Sequence, residues 1–344
     1  MPDASAPRAR RGRRRTGGLT LADVARLAGV SAITVSRAVN SPERLGAETL
    51  ARVNEAIERT GYVPNRVAGG LASNRTRLVA ALVPTISGLV FLETVQAMTE
   101  ALEEAGYQVM LGQSGYDATR EDALLDAIIG RRPDGVIITG VMHSPSARRR
   151  LAAAGIPIVE TWDLTPTPID MLVGFSHEKA GAAVAEYLAY RGVKRPALLA
   201  ADDYRAGLRG KGFVEAAARR GYHDLPVRLV KTPTTLGSGR KGLSEILEAH
   251  PDVDSVFCSS DVLANGALTE AQARGISVPG QLRVFGFGDL DFAAHTYPAL
   301  STVRIDGTAI GRQAARFVID RAAGRPIPER IIDLGFKLIA RASA

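Results

Sequence analysis

Apolar positions along this 344-residue chain follow two rhythms, which change over near residue 77. Before the change, from Leu19 to Tyr62, they recur at helical spacing in three short runs. Thr20 can cap a first helix whose inward face is Leu21, Val24, Ala25 and Ala28, an i, i+3, i+4, i+7 series that Gly29 ends. Ser31 can cap a second, with Val35 and Val39 expected inward and Ala32, Ile33, Thr34, Ser36 and Arg37 outward. A third, from about Ala47 to Thr60, carries Leu50, Val53, Ala56 and Ile57 and closes a small core. Two helices joined by a three-residue turn containing glycine have helix-turn-helix spacing, with an ordinary three-helix bundle as the alternative.

Beyond Leu78 short β-branched runs alternate with amphipathic stretches. LVAALVP, YQVMLGQ, DGVIITG, IPIVETW and MLVGFS read as buried strands, and FLETVQAMTEALEEAG and REDALLDAIIGRRP as helices between them. The rhythm then repeats, with RPALLAA, VRLVKT, SVFCSSD and LRVFGFGD alternating with RGKGFVEAAARRG, GRKGLSEILEAH and NGALTEAQARG. This predicts an α/β region of two doubly wound parallel-sheet subdomains behind an all-α headpiece, with a ligand cleft at the carboxyl ends of the strands. Asp163, Asp203, Arg205, Asp261, Asp289 and Asp291 follow predicted strands, where they suit a polyhydroxylated or anionic ligand; an Asp there can equally cap the next helix, as for Asp261.

Charge sharpens the division. Residues 1–77 hold 14 Arg and 6 acidic groups, whereas the rest of the chain holds 29 basic and 30 acidic groups, so the net charge of +7 belongs to the N-terminus. Arg8, Arg10, Arg11, Arg13, Arg14 and Arg15 crowd among Gly, Ala and Pro, a composition that predicts a disordered arm over 1–18, either solubilising or polyanion-binding. Cys258 is the single cysteine, which excludes an intrachain disulfide and a Cys-rich metal site. Pro84 and polar residues interrupt the longest apolar stretch, and the basic N-terminus leads into no apolar signal segment, so neither a membrane nor a secreted protein is expected and the cytosol is the expected location.

LADVARLAGVSAITVSRAVN, followed by GYVPNRVAGGLAS, resembles the DNA-binding headpiece and hinge of the lactose/galactose repressor family. The resemblance implies a headpiece at 19–63, a hinge at 64–76 and a periplasmic-binding-protein-like core at 77–344, with subdomains of about 77–174 plus 304–332 and 175–303 plus 333–344. It implies a second helix in the major groove, with Ala32, Ile33 and Arg37 at bases and Ser31, Thr34 and Ser36 on phosphates or caps. Arg37 can pair with guanine, while Ala32 and Ile33 offer apolar contact such as to thymine methyls. Asn65 and Arg66 are placed for backbone or minor-groove contacts, and Leu71 matches the family's minor-groove wedge. Gly69 and Gly70 predict a hinge that folds only on DNA.

Enzyme motifs are sparse. GSGRKG at Gly237–Gly242 fits a dinucleotide fingerprint, but polar KTPTTL separates it from the preceding apolar run, so no cofactor is expected. The five histidines lack metal-ligand spacing, and apart from His143 most are expected to be surface or structural. IPIVETWDLTPTPIDMLVGFSHEKAG, DDYRAGLRGKGF, VFCSSDVLANGAL and IDLGFKLIARAS resemble the gluconate-operon branch of the same family. That branch implies effector contacts at Phe91, His143, Glu160, Asp163, Asp203, Arg205, Lys211 and Asp291, with Arg205 and Lys211 facing a sugar-acid carboxylate; Asp261 joins them as a strand-end candidate. Trp162, Gly140 and Val141 depart from the branch, and Thr234 and Asp203 stand where purine-type members carry other residues. The expected function is a non-enzymatic regulator, a repressor, binding operator DNA as a homodimer under control of a gluconate-like effector; the chain end carries no heptad tail for a tetramer. A sugar-binding transport protein and a sugar-acid dehydrogenase are the rival classes.

Overall fold

A computed structural model describes residues 19–63, 75–86, 89–115, 118–141 and 144–344. The chain divides into two compact units, 1–76 and 77–344. In the first, α1 (Leu21–Ala28), α2 (Ala32–Asn40) and α3 (Ala47–Thr60) enclose Val24, Ala25, Ala28, Val35, Ala38, Val53 and Ala56. Local chemistry fixes these helices. Thr20 donates from its backbone N–H (2.9 Å) and hydroxyl (2.6 Å) to Asp23, and Gly29 ends α1 in the left-handed conformation at φ 65°. Ala38 is buried where Val39 was expected, and Val39 is half-buried. Ala38 and Val39, three and four residues after Val35, share its face, and the three-helix core covers the Ala38 side of it.

The second unit contains two parallel sheets. The first runs β11–β5–β4–β3–β1–β2, from β1 (Leu78–Val83), β2 (Gln108–Gln113), β3 (Gly135–Thr139), β4 (Ile158–Thr161), β5 (Met171–Gly174) and β11 (Ile331–Asp333). The second runs β7–β6–β8–β9, from β6 (Pro196–Ala201), β7 (Val227–Val230), β8 (Ser255–Cys258) and β9 (Arg283–Phe285). Each places its second strand outside its first and later strands on the other side, the doubly wound order. Position explains composition: β1 and β6, covered on both faces, are continuously apolar, while edge strands β2 and β7 expose alternate or successive residues.

The first sheet is flanked by α4 (Leu92–Glu104), α5 (Ala118–Ile129), α6 (Pro145–Ala153) and α11 (Gly307–Ala322), and the second by α7 (His177–Tyr190), α8 (Tyr204–Arg219), α9 (Leu236–Ala249) and α10 (Asp261–Ala273). The chain passes between subdomains after β5, again after β10 (Thr302–Arg304), and finally into β12 (Lys337–Ile339), which pairs antiparallel with β10. Helix pairs close on glycine. A Cβ at Gly212 would lie 2.0 Å from the Glu178 carbonyl oxygen, and one at Gly181 would lie 1.9 Å from that of Arg209, locking α7 to α8. The GSGRKG stretch lies within or at the start of α9, where Gly239 meets Gly266 of α10 and Gly242 packs on Leu199. Gly239 and Gly242 therefore serve helix packing, and the stretch is helical rather than a phosphate loop.

Candidate functional site

In the helical unit, α2 presents an exposed face at Ala32, Ile33 and Arg37, with Ile33 67% exposed. Ser31 accepts the Thr34 N–H at 3.1 Å, and the two hydroxyls are 2.8 Å apart, so both side chains are occupied in the cap. Ser36 is half-buried beside Asn40, whose amide donates to the Ser36 carbonyl at 2.8 Å. The helix AITVSRAVN carries no acidic residue, leaving its positive N-terminal end free to face phosphate. Asn65, Arg66, Leu71 and the arm at 1–18 lie outside the described residues.

In the larger unit, the carboxyl ends of both sheets face a cavity of about 140 Å³ lined by Phe91 and Trp162 from one subdomain and by Asp203, Arg205, Arg209, His177 and Phe287 from the other, with Thr232, Thr234, Ser259 and Ser260 completing the lining. Arg205 and Arg209 lie one turn apart on α8. Arg205 Nε donates to Asp163 Oδ2 at 3.0 Å. Arg209 donates from Nη1 to His177 Nδ1 at 2.9 Å and from Nη2 to the Ser259 carbonyl at 3.0 Å, with its guanidinium carbon 4.1 Å from the Phe287 ring centroid.

The His177 tautomer follows from its partners. A guanidinium has no acceptor, so Nδ1 must accept and the proton sits on Nε2, which lies 2.9 Å from the Trp162 carbonyl and 3.1 Å from Asp163 Oδ1. Burial reinforces the neutral form, lowering the pKa to about 4 against the opposing pull of Asp163. Burial also pushes the Asp163 carboxyl up, but Arg205 and His177 outweigh it and hold the group below its ordinary value. Trp162 adopts φ 72°, a region a bulky side chain rarely enters. Its indole N–H donates to Thr94 Oγ1 at 3.2 Å, and its ring meets Phe91 edge-on at 5.0 Å.

The expected effector residues fall in different places. Phe91, Asp203 and Arg205 line the cavity, and Asp163 stands behind Arg205. Asp203 also caps α8, accepting the Ala206 N–H at 3.0 Å. Glu160 is fully buried on β4, where it accepts the Ile169 N–H at 2.6 Å and lies 3.5 Å from Arg148. Lys211 is exposed on α8 and pairs with Glu178 at 2.8 Å. Asp261 is turned inward: Ser260 caps α10, while Asp261 accepts from Thr302 Oγ1 at 2.6 Å and the Leu290 N–H at 2.8 Å. Burial raises its pKa to about 6 against those two hydrogen bonds. Asp291 lines a neighbouring cavity with Glu93 and Asp289. His143 lies outside the described residues.

Arg209 and His177 escaped the sequence reading. Arg209 had a signal: it falls on the inward face of α8 with Ala206, Gly210, Phe213 and Ala217, and a buried-face arginine needs a reason. His177 had none, since one histidine at a helix start is an ordinary occurrence.

Residues 20–65 match the bacterial regulatory proteins of the lacI family, and residues 185–344 match a periplasmic binding protein-like domain. The HTH-type transcriptional regulator GntR of Pseudomonas aeruginosa is 40% identical over 332 residues, covering 96% of this chain and 97% of its own. The chain belongs to the LacI family. It is thus a DNA-binding transcriptional regulator, with no enzymatic role in its family. Other matches agree. The Escherichia coli K12 regulator GntR is 30% identical over 319 residues, covering 92% of this chain and 96% of its own. A crystal structure of a LacI-family regulator from Silicibacter pomeroyi superposes with a TM-score of 0.89 at 35% identity, covering 94% of this chain and 99% of its own. The Lac repressor dimer bound to operator shares the fold, with a TM-score of 0.81 at 24% identity, covering 95% of this chain and 99% of its own. Among the described residues no helix is long and apolar enough to cross a membrane, and no cluster of His, Cys, Asp or Glu is placed to hold a metal.

Proposed function

We propose that this LacI-family regulator is a cytoplasmic, homodimeric repressor whose operator affinity is set by a small sugar acid, gluconate or a close analogue, held in the cleft between the two sheets. The observation that carries this is the pair of arginines one turn apart on α8, both lining a small cavity that Thr232, Thr234, Ser259 and Ser260 also line. Guanidinium supplies the fork for a carboxylate, and hydroxyls exchange hydrogen bonds with a polyol chain. Phe91, Asp203, Arg205 and Arg209 are the effector residues the geometry favours, with Asp163 behind Arg205. Four sequence stretches resembling gluconate-operon repressors, and relatives named GntR, support the same reading.

In this reading Ala32, Ile33 and Arg37 read bases, while Asn65, Arg66 and Leu71 serve the hinge. Linkage is reciprocal: an inducer that weakens operator binding a hundredfold is itself bound a hundredfold less tightly by the operator complex, a coupling of about 2.7 kcal/mol. A thermal-shift panel of gluconate, keto-gluconates and 6-phosphogluconate, beside neutral sugars and purines, tests the effector class. A sugar acid should stabilise the native protein and not Arg205→Ala. If none shifts the transition while a neutral sugar or purine does, the sugar-acid reading is wrong.

A further inference from the structure

Arg205 and Arg209 are held differently, and the difference assigns a role to Asp163. Arg209 has partners from its own subdomain, His177 and the Ser259 carbonyl. Arg205, on the first turn of α8, instead crosses the cleft to Asp163 at the end of β4. It crosses through a socket. A Cβ at Gly140, the residue after β3, would stand 2.6 Å from Arg205 Nη2, so the missing side chain is what admits the guanidinium. Asp163 is rigid by comparison. It is almost fully buried, and its backbone presses on β5 so closely that a Cβ at Gly174 would lie 2.1 Å from its carbonyl oxygen. His177, neutral by its hydrogen bonding, cannot cancel the Asp163 charge.

We infer that Asp163 is an internal competitor for the effector's anionic group: it holds Arg205 as a latch between the subdomains and sets which anions can enter. The inference rests on reading the cleft as a sugar-acid site. A carboxylate ligand exchanges for the Asp163 carboxylate on a long, movable side chain, so charge balance at the guanidinium is kept. A neutral sugar offers no such exchange and leaves the latch shut. Asp163 therefore determines specificity while lowering affinity, the opposite of a ligand-contacting residue.

The test uses the full chain and Asp163→Asn, which keeps an acceptor for His177 but removes the charge, with Arg205→Gln and the double variant. The first arm needs no ligand. Trp162 is the single tryptophan and adjoins Asp163, so its emission reports the latch. Each single variant should shift the emission, with thermal midpoints lowered and the double variant adding little to either. Independent, additive effects would overturn the latch. The second arm titrates D-gluconate by calorimetry. Asp163→Asn should bind it about tenfold tighter than the native protein, the scale of one removed ion-pair competition, and Arg205→Gln should lose binding. Weaker or unchanged gluconate binding by Asp163→Asn would overturn the competition. If neither protein binds any sugar acid yet the 163–205 coupling is present, the sugar-acid reading fails and the latch stands.

Discussion

The two units of this regulator are held together by different means. Among the described residues, the fully buried core of the helical unit is Val24, Ala25, Ala28, Val35, Ala38, Val53 and Ala56, with Leu21, Leu50, Ile57 and Tyr62 only partly buried against it. The larger unit buries Trp162, Phe175, Phe213, Phe257 and Phe285 almost completely and closes its helix pairs on glycine. Small side chains bury little area each, so the DNA-binding unit leans on caps and turns, and its reading surface comes from neighbours in sequence. The ligand-binding unit leans on close packing, and its site is assembled from strand ends far apart in the chain. A substitution in one unit should therefore fail by a route that the other does not share.

The largest expected break is steric. In Gly212→Val the new side chain would meet the Glu178 backbone, where neither partner has a flexible end to move. Overpacking of this kind should remove about 4 kcal/mol or more from the larger unit. Equilibrium urea unfolding should show that loss in the transition of residues 77–344, while the helical unit unfolds as before. A midpoint within error of the native protein would mean that α7 and α8 tolerate separation and that glycine does not lock them.

Acid separates the units more gently. The unfolded chain protonates His177 near its ordinary 6.5, whereas the folded site refuses the proton until about pH 4. This contribution is thus full above about pH 6.5 and lost as the pH falls toward 4. Asp261 has the reverse sign. Its folded carboxyl keeps a proton up to about pH 6 that the unfolded chain releases near 3.8, so its contribution is lost as the pH rises through that range. The two oppose one another, and the native larger unit should change little between pH 4 and 6. Asp261→Asn should uncover the histidine, with stability falling by on the order of 3 kcal/mol from pH 6.5 to 4. A profile as flat as the native one would refute the opposition. Residues 19–63 contain no histidine, so the helical unit should lack this window.

The same contrast explains what the sequence disclosed. Helix period and capping chemistry act over three or four residues, so Thr20, Gly29 and Ser31 could be placed from the string alone. Alternating apolar runs likewise foretold both sheets apart from the edge strand β11, because strands covered on both faces have little freedom in composition. The cleft was legible where polar residues lie within a few positions of a strand end, as with Asp163, Asp203 and Arg205, and through the family resemblance at Phe91. Arg209 and His177 enter from helices, and their meeting depends on how closely Gly181 and Gly212 let α7 and α8 approach. Asp261 and Glu160 follow or occupy strands yet turn into the interior, since the direction of a strand-end side chain depends on its neighbours.

The smallest expected effect belongs to the helical unit and tests its dependence on caps. Ser31 accepts the Thr34 N–H at the start of α2, and Ser31→Ala leaves that donor to water at a cost of about 1 kcal/mol. In a unit with so small a core this should lower its thermal midpoint while leaving the transition of residues 77–344 unmoved. It should also free the Thr34 hydroxyl, now 2.8 Å from Ser31, and let the first turn of α2 fray. Operator binding should weaken with little change in base preference, because Ile33 and Arg37, the proposed base readers, are untouched. Ser31→Asp, which retains the cap acceptor, should recover the midpoint yet bind DNA less well, since it sets a carboxylate against phosphate. Recovery of both properties would place Ser31 away from the backbone of the duplex, and recovery of neither would show that the cap is not what holds α2 in place.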